Sequence, residues 1–152
     1  MSRDFSTNSP EETIALGREL ADLLRESRLV LLRGELGAGK TTLVKGIAEG
    51  FAAAEAGEVT SPTFKLVHEY RGPERTIHHI DLYRIETQRE LDTLGVDDLL
   101  RDERNLLLVE WGEKFPRLLQ WKDAEIRITR EGVNGRKWRL STVEKMPKEK
   151  AV

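Results

Sequence analysis

Apolar positions change period several times along the chain, and each change marks a predicted element. Leu16, Leu20, Leu23 and Leu24 recur at helical spacing. They follow Ser9-Pro10-Glu11-Glu12, where Ser9 suits the N-cap, Pro10 the first helical position and Glu12 the end of a capping box. A helix is therefore expected to about residue 26. Leu29-Val-Leu-Leu-Arg33 is apolar on both faces, as a central parallel strand covered by helices would be. After a glycine-punctuated stretch over 34–39, helical spacing returns over 40–51, with Leu43, Ile47 and Phe51 on one face.

Residues 52–57 are small and read as a loop. Residues 63–70 and 76–83 are strand-like, and Arg71-Gly-Pro-Glu-Arg75 between them is turn chemistry, so a hairpin is expected. Thr87-Gln-Arg-Glu90 is a second capping box, opening a helix that Gly95 ends, and a further turn covers 97–101. Asn105-Leu-Leu-Leu-Val-Glu110 is a second all-apolar strand, ending in an acid. Residues 124–131 and 136–142 flank an Asn134-Gly135 pair, a strong hairpin signal. From about residue 144 the chain is charged and expected to fray. The pattern predicts a mixed α/β sandwich, with a largely parallel centre and antiparallel hairpins at the edges of its sheet.

Composition narrows the class without changing this picture. The 152 residues carry 25 Lys+Arg against 27 Asp+Glu, a net charge of −2, with 38% hydrophobic and 34% charged residues. That is a well-solvated globular composition, expected to form one domain over 1–152. The near-neutral balance argues against a surface that grips nucleic acid everywhere. Cysteine is absent, which excludes disulfide scaffolds and thiol nucleophiles. No apolar run approaches the ~20 residues of a membrane span, so a cytoplasmic protein without membrane attachment is expected.

The strongest chemical signal is Gly34-Glu-Leu-Gly37-Ala-Gly39-Lys40-Thr41, a full match to G-x-x-x-x-G-K-[ST] between a strand and a helix. Its glycines let the amides of Glu35, Leu36, Gly37, Ala38 and Gly39 turn inward as a nest for phosphate oxygens, at the positive end of the following helix. Lys40 supplies a mobile cation for the outer phosphates, Thr41 a hydroxyl for Mg²⁺, and Thr42 a further phosphate contact. A glycine turn that bound nothing would have no use for the Lys-Thr pair. Phosphate-loop enzymes draw a metal acid from the end of a second apolar strand, and two acids compete here. Glu110 fits better, leaving Asp81 to orient the attacking water or a metal-bound water. Thr63, on the Pro-stiffened loop Thr60-Ser-Pro-Thr63-Phe64, is placed to sense the γ-phosphate. No Asn-Lys-x-Asp guanine motif is present, which favours ATP over GTP. The segment near Ser9 would approach the adenine if its helix packs beside the phosphate loop.

In this order Gly34-Glu-Leu-Gly-Ala-Gly-Lys-Thr-Thr42, Ser61-Pro-Thr-Phe64, His79-Ile-Asp-Leu-Tyr-Arg84, Glu90-Leu-Asp-Thr-Leu-Gly95 and Val109-Glu-Trp111 resemble the TsaE (YjeE-type) ATPase family, which serves the bacterial pathway to tRNA threonylcarbamoyladenosine. The resemblance covers residues about 34 to 111 and implies a phosphate-loop NTPase-like three-layer sandwich. It also implies slow, Mg²⁺-dependent ATP hydrolysis in support of TsaB and TsaD, which perform the transfer and through which tRNA is reached. By motif position it implies Lys40 and Thr41 at phosphate and Mg²⁺, Thr63 as switch, Glu110 as metal acid and Asp81 in hydrolysis. It places Trp111 at the nucleotide or partner surface and gives Arg84 a partner or γ-phosphate contact. The competing reading is a small-molecule or nucleotide kinase, for which Arg101 and Arg104 are the nearest arginines able to form a lid. A third is a module that binds tRNA directly through Lys145, Lys148 and Lys150, diluted by Glu144 and Glu149.

Overall fold

The computed structural model describes residues 1–35, 39–55 and 66–143. Within them an eight-stranded sheet takes the order β1-β8-β7-β2-β6-β5-β4-β3. The strands are β1 (Ser2–Thr7), β2 (Leu29–Arg33), β3 (Ala54–Glu55), β4 (Val67–Arg71), β5 (Thr76–Asp81), β6 (Asn105–Glu110), β7 (Ala124–Glu131) and β8 (Gly135–Thr142). The centre β7-β2-β6-β5 is parallel, and both flanks are antiparallel. The two all-apolar segments are β2 and β6, adjacent at the middle and buried along almost their whole length. That is what their lack of alternation requires, because helices cover both faces.

Helices α1 (Pro10–Leu23) and α2 (Lys40–Gly50) cover one face. There Leu16, Leu20, Leu43 and Ile47 pack on Val30, Leu32, Leu106 and Leu108. The opposite face is covered by α3 (Gln88–Thr93), α4 (Val96–Arg101), a 3-10 turn at Gly112–Lys114 and α5 (Pro116–Trp121), over Leu29, Leu31, Ile80, Leu107 and Val109. The result is the three-layer sandwich with parallel centre that the sequence predicts. α1 lies hard against α2. A Cβ at Gly17 would stand 2.6 Å from the Leu43 carbonyl oxygen and 2.7 Å from the Ile47 amide, so only glycine allows this approach.

The Ser9 cap forms without the expected box: Ser9 Oγ accepts from the Glu12 amide at 3.1 Å, but the Glu12 carboxylate accepts from the Asn8 amide at 2.8 Å, while Thr87 and Glu90 make the full reciprocal capping box. α1 stops at Leu23 rather than near residue 26, and the carbonyls of Leu24 and Arg25 beyond its end accept from the buried Arg75 guanidinium, at 3.4 and 2.8 Å. The strand expected over 76–83 ends at Asp81, and the one expected over 63–70 is observed as β4, Val67–Arg71. Four elements are additional to the prediction. They are the polar edge strand β1, the two-residue β3 inside the expected loop, the 3-10 turn at Gly112–Lys114, and α5 with Pro116 in its first turn. Leu36, Gly37, Ala38, the Thr63 loop and the tail from 144 lie outside the described residues.

Candidate phosphate and metal site

Parallel strands β2, β6 and β5 end at the same edge of the sheet, and the candidate residues gather there. In the β5–β6 register Asp81 stands opposite Glu110, and His79 opposite Leu108. Alternation puts Glu110 on the face of Leu106 and Leu108, and His79 and Asp81 on the face of Ile77. That face belongs to α1 and α2, and α2 delivers Lys40 to it.

At the start of α2, Gly39 takes φ 110° and ψ 13°, a left-handed conformation that side-chain-bearing residues rarely adopt. It leaves the first turn of an 11-residue helix without a side-chain cap. Free amides at a helix start are what phosphate oxygens seek. The Lys40 ammonium, 5% exposed, donates to the Gly34 carbonyl at 2.7 Å and pairs with Glu110 Oε1 at 3.2 Å. The other carboxylate oxygen, Oε2, lies 2.6 Å from His79 Nε2. Burial pushes the Glu110 carboxyl up, but the His79 hydrogen bond and the charges of His79 and Lys40 outweigh it and hold the group below its ordinary range. A buried anion and a buried cation thus face each other between the end of β6 and the start of α2.

Asp81 is less enclosed. Its carboxylate accepts from the Tyr83 amide at 2.9 Å, closing the turn that follows β5. Trp111 follows Glu110 in a left-handed conformation, φ 65°, which turns the chain sharply at the strand end. Its ring lies 5.4 Å from Lys40 Nζ and meets Tyr83 edge-on at 5.2 Å. Tyr83 and Arg84 are exposed beside it. Thr41 is exposed and Thr42 half-buried on the first turn of α2.

Two hollows flank the loop. One of about 400 Å³ is lined by Arg33, Gly34, Glu35, Trp111 and strand β7 from Arg127 to Arg130. The other, about 260 Å³, lies between Ser9, Pro10 and Thr13 of α1, Gly39 and Thr42 of α2, and Asn134 and Arg136 of the last hairpin. α1 therefore does pack beside the phosphate loop, as an approach of Ser9 to a base would require.

The donor set suits Mg²⁺. That ion keeps several waters and takes one or two carboxylates beside substrate phosphates. Glu110, Asp81 and the Thr41 hydroxyl supply this chemistry, and among the described residues no cluster of three or more His, Cys, Asp or Glu forms a dedicated cage. Arg101 and Arg104 lie at the opposite edge of the sheet, where β6 begins. A kinase lid built from them has no support in this placement. His79, Asn134 and Arg136 join the site without a sequence argument of their own. His79 lies within the motif His79-Ile-Asp-Leu-Tyr-Arg84, while Asn134 signals only a hairpin turn and Arg136 nothing, because their place here depends on the path of β8. Among the described residues no helix is long and apolar enough to cross a membrane.

Residues 7–138 match the sequence model of the family described as Threonylcarbamoyl adenosine biosynthesis protein TsaE. Among curated relatives, the tRNA threonylcarbamoyladenosine biosynthesis protein TsaE of Rickettsia conorii is 42% identical over 112 residues, 74% of this chain and 62% of that protein. The Bacillus subtilis protein of the same name is 35% identical over 139 residues, 91% of this chain and 85% of that protein. A crystal structure of YdiB from Bacillus subtilis superposes with a TM-score of 0.71 at 29% identity, covering 95% of this chain and 87% of that one.

Proposed function

The chain belongs to the TsaE family of threonylcarbamoyl adenosine biosynthesis proteins, and on that premise we propose that it binds and slowly hydrolyses ATP with Mg²⁺, as the nucleotide-driven member of the tRNA-modifying machinery. It acts as a single ATPase domain in the cytoplasm, supports the turnover of TsaB- and TsaD-type partners, and meets tRNA through them. The threonylcarbamoyl transfer itself is theirs.

The observation that carries this reading is the buried Lys40–Glu110 pair, 3.2 Å apart at the C-terminal edge of parallel strands. Open parallel sheets bind their ligands at that edge. Removing either charge from water is costly, and a structural pair of this kind is often replaceable by apolar residues. A site for an anionic ligand and its cation gives the pair a reason to be there. The amides from Glu35 to Gly39 and the start of α2 receive the phosphates, and Lys40 places its ammonium on the outer ones. Thr41, Glu110 and Asp81 would hold Mg²⁺, which would supply charge neutralisation to the phosphates. Asp81 also orients the water, Thr42 contacts phosphate, and Thr63 senses the γ-phosphate. The hollow between Ser9, Thr13, Asn134 and Arg136 takes the nucleoside, and Trp111 lines the phosphate end. Catalysis of this kind is positioning and charge stabilisation, so turnover by the protein alone is slow.

The test is ATP hydrolysis and nucleotide binding by the purified protein, with and without the two partners. Slow turnover that rises when both are added is the expected result. Fast turnover indifferent to them, or phosphate transfer to a small acceptor, overturns the reading.

A further inference from the structure

The Glu110 carboxylate is held at both oxygens, and only one of its partners has a task at the phosphates. Lys40 holds Oε1 at 3.2 Å, and in the proposed function its ammonium must also serve the nucleotide. His79 holds Oε2 at 2.6 Å and is buried, at 7% exposure, in the middle of β5. We infer that His79 is a positioning residue, which fixes the orientation of the Glu110 carboxylate for a divalent cation beside the phosphates. This rests on the reading of Glu110 as the metal acid.

The geometry is set by strand register rather than by a flexible loop. His79 faces Leu108, so it meets Glu110 as the diagonal neighbour one pleat further along the parallel partner strand. An ionised carboxylate can only accept, so His79 Nε2 carries the hydrogen and donates it. The ring is buried. It lies in the sheet opposite His68 of β4, with the two ring centres 6.4 Å apart. One oxygen is tied to a rigid strand, and the other is left for exchange between Lys40 and a cation. Outer partners of this kind orient metal-binding carboxylates, and their loss typically lowers metal affinity 10- to 100-fold. His78, next in sequence, cannot take the task. Its side chain points to the other face, where Nε2 lies 3.1 Å from Asn105 Oδ1.

The experiment titrates Mn²⁺ into the protein–ADP complex and reads bound metal by electron paramagnetic resonance, with ADP affinity in EDTA measured in parallel. His79→Phe keeps a ring and removes the donor. The expected result is Mn²⁺ binding weaker by about tenfold, with metal-free ADP affinity within about twofold of wild type. His79→Gln, which restores a donor, should recover Mn²⁺ binding to within about threefold. Should the phenylalanine variant fail to fold, His79→Leu carries the same comparison. Unchanged Mn²⁺ affinity in the donor-less variant, or a glutamine variant no better than it, overturns the inference. Glu110→Gln separates the two levels. If Glu110→Gln leaves Mn²⁺ binding intact, the metal-acid reading itself fails, and this inference with it. If Glu110→Gln weakens metal and the donor-less His79 variant does not, only the role of His79 falls.

Discussion

The two ends of the β5–β6 strand pair each bury a cation and a histidine, yet they are built to opposite purposes. At the N-terminal end Arg75 is buried, with the Asp123 carboxylate near enough to act on its charge. Its guanidinium donates to the carbonyls of Leu24, Arg25 and Asn105, while Asn105 donates to the carbonyl of Leu99 and faces His78. Burial, helped by the neighbouring Arg28 charge, pulls the Arg75 pKa down. The carbonyls that accept there belong to the fold's own backbone, so the cluster ties the end of α1, α4 and two strands together. At the C-terminal end Lys40 and His79 converge on the charged Glu110, beside uncapped amides. Both are buried polar networks, which are costly unless satisfied. The difference teaches that burial and charge do not mark a site by themselves. What marks it is a charged pair at the edge where parallel strands end and a helix begins.

The comparison is most open to attack at Glu110. Glu110→Gln should reduce ATP hydrolysis by about 100-fold or more, while nucleotide affinity without metal stays within about threefold. Steady-state phosphate release with a fluorescent-nucleotide titration reads both. Lys40→Ala should weaken nucleotide binding by about 30-fold, because a charge-assisted contact to phosphate contributes about 1.5–3 kcal/mol. Calorimetry with ADP measures this, and wild-type affinity would remove the phosphate site from the C-terminal end. Arg75→Met should do the reverse. It strips donors from three carbonyls and should cost about 2 kcal/mol of unfolding free energy in urea, with ADP affinity unchanged. A matching loss of ADP affinity would show that the two ends are not separate.

The smallest effect supplies a baseline away from both ends. Glu90 is fully exposed, and hydrogen bonds from the Glu86 amide and then from Thr87 hold its carboxyl below its ordinary value of 4.5. A depressed folded value means that the contribution is complete above 4.5 and is lost as pH falls through the lowered value. Amide exchange at Glu86 and Thr87 should therefore speed up relative to α2 on acidification. Thr87→Ala should show that faster exchange already at neutral pH.

Much of this was legible in advance where local chemistry and burial agree. β2 and β6 were readable because a segment apolar on both faces has one stable place in a sandwich, its centre. The caps at Ser9 and Thr87 were readable because they are made within four residues. β1 was not, since Ser2-Arg-Asp-Phe-Ser-Thr7 has no apolar alternation, and its strand exists because the open edge of β8 offers a ladder of unpaired amides and carbonyls. The carbonyls just past α1 likewise find their partner in an arginine about fifty residues away, which no local pattern encodes.

The phosphate-loop motif, the two central strands and the two candidate acids are legible in the chain alone, because each is written in neighbouring residues. That Lys40 and Glu110 meet, that His79 rather than His78 touches the carboxylate, and that Ser9 shares a hollow with Asn134 and Arg136 follow from the folded chain alone. Those contacts depend on strand register and on which helix covers which face. Register is set by the sum of many apolar contacts across the sheet, and no single stretch of the chain encodes that sum.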